Sequence, residues 1–246
     1  MAASGLYEKI GQMLILGFRG YSIEEAPVVK LLLSRGLLGG LILFDYDIAS
    51  ASPNRNIESP SQLAQLTQSI RVLSQVPPFI AIDEEGGQVS RLKSKAGFTE
   101  FRSHKALGGS GNPEATYREA NRMAYQLYKA GINLNFAPCV DLAVNADNPI
   151  INQKGRSFSD DPEEVVKHAE RFIQAHNEHN IVTSLKHFPG HGSATGDTHL
   201  GMVDVTGQWQ EKEIHPFQML IDKGLARSVM ASHIFKADMD SLYPAS

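Results

Sequence analysis

Short apolar runs alternate with longer amphipathic stretches along the chain, and this alternation is the strongest constraint on its fold. Six runs of apolar or β-branched residues predict strands, at residues 13–17, 40–44, 78–83, 134–137, 182–186 and 229–233. The four helical stretches between them begin near Ser59, Asn112, Asp161 and Gln210, and at the first three a capping side chain precedes a proline. Strands that alternate with helices predict an α/β fold with a parallel sheet covered by helices.

The size and composition of the chain are those of one globular domain. The sequence has 246 residues, of which 42% are hydrophobic and 20% are charged, so intrinsic disorder is excluded as a description of the whole chain. The length alone allows one large domain or two small ones, and because no polar linker divides the chain we expect a single domain over residues 1–246. The net charge of −4 argues against a nucleic-acid-binding protein, and the single cysteine, Cys139, excludes an internal disulfide framework or a cysteine-rich zinc site.

The sequence contains no pattern of a membrane-spanning segment or of a secretory signal. No stretch approaches the roughly 20 uninterrupted apolar residues that a transmembrane helix needs. Residues 1–16 lack the charged start, apolar core and small-residue cleavage site of a secretory signal. We therefore expect a cytoplasmic protein without a membrane partner, and a secreted one only if a leader has been removed.

Polar and ionisable residues follow the predicted strands at their carboxyl ends. The residues at these ends are Asp83 with Glu84 and Glu85 after the third strand, Asp141 after the fourth, Lys186 and His187 at the end of the fifth, and His233 at the end of the sixth. In an α/β barrel this rim carries the active site, and in an open doubly wound sheet it is the ligand-binding edge. Both architectures place the chemistry on one side of the sheet.

The segment 185–199 contains more titratable residues than packing requires, including three histidines, a lysine and an aspartate. Asp197 and His199 are two residues apart, so their side chains can meet in a turn. A carboxylate beside an imidazole orients the ring and raises its pKa, which predicts proton transfer near neutral pH. The other interpretations are a solvated loop, or a metal site built from His187, His191, Asp197 and His199.

Two further segments predict ligand-binding side chains. Asp83 precedes a glycine pair that permits a tight turn, and a carboxylate there can accept hydrogen bonds from neighbouring sugar hydroxyls. Arg91 can orient Asp83 or meet an anionic group of a substrate. Arg156, on a loop before a helix, can hold a carbonyl, a carboxylate or a phosphate, or else neutralise the acidic helix start. Cys139 has no basic neighbour in the sequence, so we expect it to be buried and unreactive.

Together, three segments resemble glycoside hydrolases of family 3, in particular the β-N-acetylglucosaminidase branch. They are Ile82-Asp-Glu-Glu-Gly-Gly-Gln-Val-Ser-Arg91, Gly155-Arg-Ser-Phe158, and Lys186-His-Phe-Pro-Gly-His-Gly with the following Asp197-Thr-His199. The resemblance covers nearly the whole chain. It implies a (β/α)8 TIM barrel and a retaining β-N-acetylhexosaminidase that hydrolyses terminal β-linked N-acetylglucosamine from peptidoglycan fragments, without a cofactor or a metal.

The resemblance also implies roles for individual residues. His199 would be the acid/base, and Asp197 its partner in a catalytic dyad. The side chains that would bind the sugar are Asp83, Arg91, Arg156, Lys186 and His187. The implied partner is an N-acetylglucosamine-containing saccharide or muropeptide, with no nucleic acid and no membrane.

The chain departs from the family pattern at its C-terminal end. The barrel needs eight βα units, whereas only about six are present. The family's nucleophile is an aspartate on the seventh strand, and nothing after His233 resembles that segment; Asp238 and Asp240 are not assigned this role. We therefore expect a barrel that is incomplete at its C-terminus, to be completed by a further segment or by a second chain.

Three alternatives to a hydrolase of this kind stay open. An N-acetylglucosaminide phosphorylase is a close variant, because a histidine acid/base avoids the repulsion that a carboxylate would exert on incoming phosphate. An inactive sugar-binding fragment would keep the sugar contacts and lack the nucleophile. A metal-dependent barrel hydrolase would use the histidine-rich segment 185–199 instead.

Overall fold

A computed structural model of the chain describes residues 5–53, 55–198 and 200–246. The helices are α1 (Leu6–Gly11), α2 (Pro27–Ser34), α3 (Pro60–Leu73), α4 (His104–Gly108), α5 (Pro113–Lys129), α6 (Pro162–Glu178) and α7 (His215–Asp222). The strands are β1 (Ile15–Gly17), β2 (Gly40–Ile42), β3 (Phe79–Ile82), β4 (Leu134–Asn135), β5 (Val182–Thr183), β6 (Leu185–Phe188), β7 (Val203–Asp204), β8 (Val229–Ala231) and β9 (Ile234–Phe235). Within these described ranges, no helix has the length and apolar character that a membrane crossing requires.

Contacts between residues divide the chain into two compact units. The first comprises Met1–Asp83, Arg91–Glu100 and Tyr125–Asn135, and the second comprises Glu84–Ser90, Phe101–Ala124 and Phe136–Ser246. A single domain over residues 1–246 stays a prediction.

Parallel strands form the sheet of the first unit. β1 pairs with β2, β2 with β3 and β3 with β4, in each case in parallel. Leu41 of β2 and Ile80 and Ile82 of β3 are completely buried, which is the pattern expected of parallel strands covered on both faces. Asp83 follows β3 directly, so the chain delivers this carboxylate to the carboxyl end of the sheet.

The second unit contains two short parallel pairs, β6 with β8 and β7 with β9. The N–H group of Val140 donates to the carbonyl oxygen of Lys186 at 2.8 Å, so the backbone before Asp141 runs beside the strand that carries Lys186 and His187. The core of this unit is a cluster of buried apolar side chains: Leu107, Val140, Leu142, Phe158, Val165, Val166, Ala169, Ile173, Leu185, Phe217 and Leu220.

The predicted elements are present, with shorter ends. β1, β2, β3, β4 and β8 lie within five of the predicted runs, and the run at 182–186 contains β5 and the start of β6. Three of the predicted helices are α3, α5 and α6. The helix predicted from Gln210 is instead a 3-10 turn over Glu211–Ile214 followed by α7, because Pro216 has no N–H group to continue one α-helix through it.

Helix α4 supports the segment that carries Arg156. Gly108 lies so close to this segment that a Cβ atom on it would be 1.8 Å from the carbonyl oxygen of Phe158. The His104 ring stacks on Phe158 with 4.1 Å between centroids, and its Nδ1 lies 2.9 Å from the carbonyl oxygen of Arg156. Burial lowers the pKa of His104 to about 4, so the ring is neutral and donates to that oxygen. These contacts fix the backbone on which Arg156 is mounted.

Candidate active site

The buried carboxylate of Glu85 is the centre of the site in the second unit. It accepts two hydrogen bonds from Arg156, at 2.9 Å from Nε and 2.8 Å from a terminal nitrogen, and lies 2.7 Å from the Lys186 ammonium. Only 1% of Glu85, 2% of Lys186 and 9% of the Arg156 side chain is exposed. Burial raises the pKa of Glu85, but the two cations outweigh this effect and hold it well below its usual range. Glu85 is therefore ionised and orients both cations.

A glycine turn fixes the backbone after Glu85. Gly86 and Gly87 have φ angles of +87° and +62°, in the left-handed region that favours glycine. A Cβ atom on Gly86 would lie 2.4 Å from the carbonyl oxygen of Arg102, and the N–H group of Gly87 donates to the carbonyl oxygen of Phe101 at 2.8 Å. The sequence Glu-Gly-Gly thus permits a turn too tight for any other residue pair.

A second buried carboxylate, Asp141, fixes the imidazole of His187. It lies 2.6 Å from His187 Nδ1 and accepts the backbone N–H groups of His187 at 3.1 Å and His191 at 2.7 Å. Burial raises the pKa of Asp141, but His187 and His191 outweigh this effect and hold it well below its usual range. Burial lowers the pKa of His187 to about 4. Asp141 is therefore the charged acceptor, and His187 donates from Nδ1.

Arg156 connects the two carboxylates through His187. A terminal nitrogen of Arg156 lies 3.0 Å from His187 Nε2. Because a guanidinium only donates, Nε2 accepts, and His187 is the neutral tautomer with its proton on Nδ1. The two carboxylates, Glu85 and Asp141, balance the two cations, Arg156 and Lys186. His187, which is 17% exposed, is the member of this network most accessible to a ligand.

Cys139 joins the same network. Its thiol donates to Asp141 at 3.1 Å, and burial together with Asp141 holds its pKa well above the usual range. Cys139 is buried, as the sequence predicts, and its raised pKa keeps it protonated. Among the residues that the structure describes, Cys139, Asp141 and His187 form a group whose ligand atoms lie within 4.8 Å of one another and could hold a metal ion. The hydrogen bonds among them, and the guanidinium against His187, favour a hydrogen-bonded network over a metal centre.

The predicted metal set differs from this group. Of the described members of that set, His187, His191 and Asp197, only His187 belongs to the group. Asp197 is partly buried, and His199 lies outside the described residues, so the predicted contact between Asp197 and His199 is not described either.

Asp83 and Arg91 meet in the first unit. A terminal nitrogen of Arg91 lies 3.4 Å from the Asp83 carboxylate, and these side chains are 27% and 18% exposed. The Arg91 guanidinium also lies 5.7 Å from the centroid of the Phe44 ring. Arg91 is thus placed to orient Asp83, and its role towards a ligand stays a prediction. Both side chains are exposed enough to meet a ligand.

The structure brings Arg156, Lys186 and His187 together, as the predicted roles require, and adds two residues. Glu85 and Asp141 were expected at this rim without an assigned role, and the structure shows that both hold predicted site residues in place. Charge was the signal that could have found them. The basic side chains of Arg156 and Lys186 end in a buried region, and each needs an acidic partner because an unpaired buried charge is too costly. The sequence offers Glu84 as well as Glu85, and only the fold decides between them.

Residues 5–246 match the family described as the glycosyl hydrolase family 3 N-terminal domain. The chain belongs to this family. Beta-hexosaminidase A from Pseudoalteromonas piscicida is 32% identical over 260 residues, which cover 95% of this chain and 41% of that protein. A family 3 β-N-acetylglucosaminidase structure from Paenibacillus sp. str. FPU-7 matches with a TM-score of 0.87 and 30% identity, covering 98% of this chain and 44% of that one.

A structure of NagZ from Neisseria gonorrhoeae in complex with N-trifluoroacetyl-D-glucosamine matches with a TM-score of 0.81 and 28% identity, over 94% of this chain and 66% of that one. These matches confirm the α/β fold class of TIM-barrel type and the predicted family. The chain spans between 41% and 66% of the length of these three family relatives.

Proposed function

We propose that the protein is a retaining β-N-acetylhexosaminidase that releases terminal β-linked N-acetylglucosamine from peptidoglycan fragments. The observation that carries the proposal is the buried network in which Glu85 and Asp141 orient Arg156, Lys186 and His187. Its charges balance and it is rich in N–H donors, which suits a neutral ligand with several hydroxyl groups. The relatives named as a β-hexosaminidase and a β-N-acetylglucosaminidase support this substrate class.

The predicted sugar-binding residues would contribute in two groups. In the first unit, Asp83 would accept hydrogen bonds from sugar hydroxyls while Arg91 keeps it oriented. In the second unit, Arg156 and Lys186 would donate hydrogen bonds, and His187 would offer a fixed neutral imidazole. Because Glu85 holds both cations, a ligand would meet donors that are already oriented.

His199 and Asp197 would carry the proton transfer. A histidine beside a carboxylate can protonate the leaving oxygen in the first step and activate water in the second. Retention also needs a carboxylate nucleophile at about 5 Å from the acid/base, and the resemblance assigns none within residues 1–246. Asp238 pairs with Lys236 at 3.0 Å, and Asp240 accepts the N–H group of Leu242 at 2.8 Å, so local contacts engage both carboxylates.

The test is hydrolysis of an aryl β-N-acetylglucosaminide by the 246-residue chain, together with calorimetric binding of N-acetylglucosamine. Release of the phenol and of N-acetylglucosamine supports the proposal. Binding without turnover would favour the sugar-binding fragment, and formation of a sugar phosphate in phosphate buffer would favour the phosphorylase. A chain that neither binds nor hydrolyses the sugar contradicts the proposed substrate class.

The assignment of His199 has its own test. In an active chain, His199→Ala should lower kcat by about 10²- to 10⁴-fold, the usual contribution of a general acid, while N-acetylglucosamine binding stays near wild type. The matched control is His215→Ala, an exposed histidine at the start of α7, which should keep wild-type kinetics. A fully active His199→Ala variant would show that another group is the acid.

A further inference from the structure

Four side chains hold the backbone at residues 191–194, immediately before the loop segment that contains Asp197. Asp141 accepts the N–H group of His191 at 2.7 Å, and the Glu213 carboxylate accepts the N–H group of Ser193 at 3.0 Å. The side-chain amide of Asn148 donates to the carbonyl oxygens of His191 at 2.8 Å and Gly192 at 3.1 Å. The side-chain amide of Asn145 donates to the carbonyl oxygens of Ser193 at 3.3 Å and Ala194 at 3.2 Å.

Asn148 is itself fixed. It is completely buried, and its side-chain oxygen accepts the N–H groups of Ile150 at 2.9 Å and Ile151 at 2.7 Å. With the oxygen so engaged, the NH₂ group can face only the carbonyl groups of residues 191 and 192. Gly192 also lies directly against the backbone of Leu142, because a Cβ atom on it would be 2.0 Å from the carbonyl oxygen of Leu142. The backbone at 191–194 is therefore held on several sides.

The solvent exposure of the chain increases after the backbone held at residues 191–194. Ala194 is fully buried and packs with Val205 and Ile234 in a small apolar cluster. Beyond it the described residues become accessible, and Leu200 and Met202 are 88% and 76% exposed. Residues 195–198 thus follow a fixed point at Ala194, and Asp197 lies three residues beyond it.

We propose that Asn148, assisted by Asn145, is a positioning residue that fixes the backbone at 191–194, from which the loop carrying the proposed acid/base pair starts. The inference rests on the proposed function. Asn148 acts through the backbone at 191–194 and is not a catalytic residue. Because a displacement of about 1 Å can cost roughly 100-fold in rate, loss of the two hydrogen bonds from Asn148 should be visible in the proton-transfer step.

The kinetic test uses aryl β-N-acetylglucosaminides whose phenols differ in acidity. Asn148→Ala should lower kcat/KM by about 10- to 100-fold for the least acidic phenol and much less for the most acidic one, since an acidic leaving group needs little protonation. Inhibition by N-acetylglucosamine should stay unchanged. His199→Ala should show the same dependence on the leaving group, and the double variant should lose little more than His199→Ala alone, because both changes act through one group.

Controls separate positioning from general destabilisation. Asp161→Ala removes the cap of α6, where the Asp161 carboxylate accepts the N–H group of Glu163 at 2.8 Å, without touching residues 191–194. It should leave the dependence on phenol acidity at wild type. If Asn148→Ala does not fold, Asn145→Ala, whose side chain is only partly buried, should show the same pattern more weakly. Equal losses for every phenol, additivity with His199→Ala, or a changed N-acetylglucosamine inhibition would overturn the proposal.

A second readout does not depend on activity. Hydrogen exchange of the amides at residues 192–198 should be at least tenfold faster in Asn148→Ala than in the wild-type chain, while amides of α6 keep their protection. Unchanged exchange would overturn the inference even in an inactive chain. An inactive wild-type chain with the expected exchange difference would count against the proposed function alone.

Discussion

Two buried cations depend on the single carboxylate of Glu85. Arg156 and Lys186 are both nearly inaccessible to water, and Glu85 lies within 3 Å of each. Removing a partner from a buried ion pair costs far more than the pair contributes, because the remaining charge loses both its partner and its water. The same change at a surface pair costs little.

Glu85→Gln should therefore reduce the free energy of unfolding by about 3–5 kcal/mol and weaken N-acetylglucosamine binding, because two cations lose their buried counter-ion. Urea denaturation and calorimetry measure the two effects. The matched control is Glu164→Gln on the surface of α6, where the pair with Lys167 is about half exposed and the free energy of unfolding should change little. Equal losses in the two variants would contradict the role given to Glu85.

At the scale of secondary structure, α4 shows how a helix can fix a functional side chain that it does not carry. Its last residue, Gly108, lies against the carbonyl oxygen of Phe158, two residues after Arg156. The ring of His104, in the first turn of the same helix, stacks on Phe158 and donates a hydrogen bond to the Arg156 carbonyl oxygen. The packing of α4 therefore sets the position of the Arg156 guanidinium.

Gly108→Ala should force this helix away from residues 156–158. Since the added carbon would lie 1.8 Å from the Phe158 oxygen, we expect a loss of about 1–3 kcal/mol in the free energy of unfolding and weaker N-acetylglucosamine binding. The control is Gly207→Ala, where no atom lies within 4 Å of the added carbon and the change should stay within about 0.5 kcal/mol. Thermal unfolding and calorimetry would decide, and wild-type values for Gly108→Ala would refute the packing argument.

Sequence patterns predict the elements that carry their own local signals. Ser59 and Asp161 accept backbone N–H groups at the starts of α3 and α6, so these helices begin where the caps predict. β7 and β9 have two residues each, too few to show a strand period, and they exist only because they pair with each other. The roles of Glu85 and Asn148 could not be assigned from the sequence, because they depend on partners 71 and 43 residues away.

At the scale of the whole molecule, burial keeps several histidines uncharged. Burial is the main cause that lowers the pKa of His104, His176 and His187 to about 4. An unfolded chain titrates its histidines near pH 6.5. Between about pH 6.5 and pH 4 the unfolded state therefore binds more protons than the folded state, so stability rises with pH across this window.

The free energy of unfolding should fall as the pH is lowered from 7 towards 4, by up to about 4 kcal/mol per pH unit if all three histidines contribute. Asp141 and Glu85 extend the loss to lower pH, because their pKa values are lowered in the folded state and their stabilisation disappears as they become protonated. Urea denaturation at several pH values measures the slope. His176→Phe, which keeps a ring against Phe172, should reduce the slope of the free energy of unfolding against pH by the contribution of about one proton. A flat profile between pH 7 and pH 5 would contradict the argument.

The rate at which the buried, protonated thiol of Cys139 is alkylated reports on structural opening of the protein. Cys139 is the single cysteine of the sequence, and only the thiolate reacts with alkylating reagents. In the folded state the Cys139 thiol is both inaccessible and uncharged. A reagent therefore reaches it only when the structure around it opens transiently. The rate of alkylation therefore measures how often the second unit opens around the network of Glu85 and Asp141. Because Cys139 is the natural reporter, no mutation is needed to introduce a label.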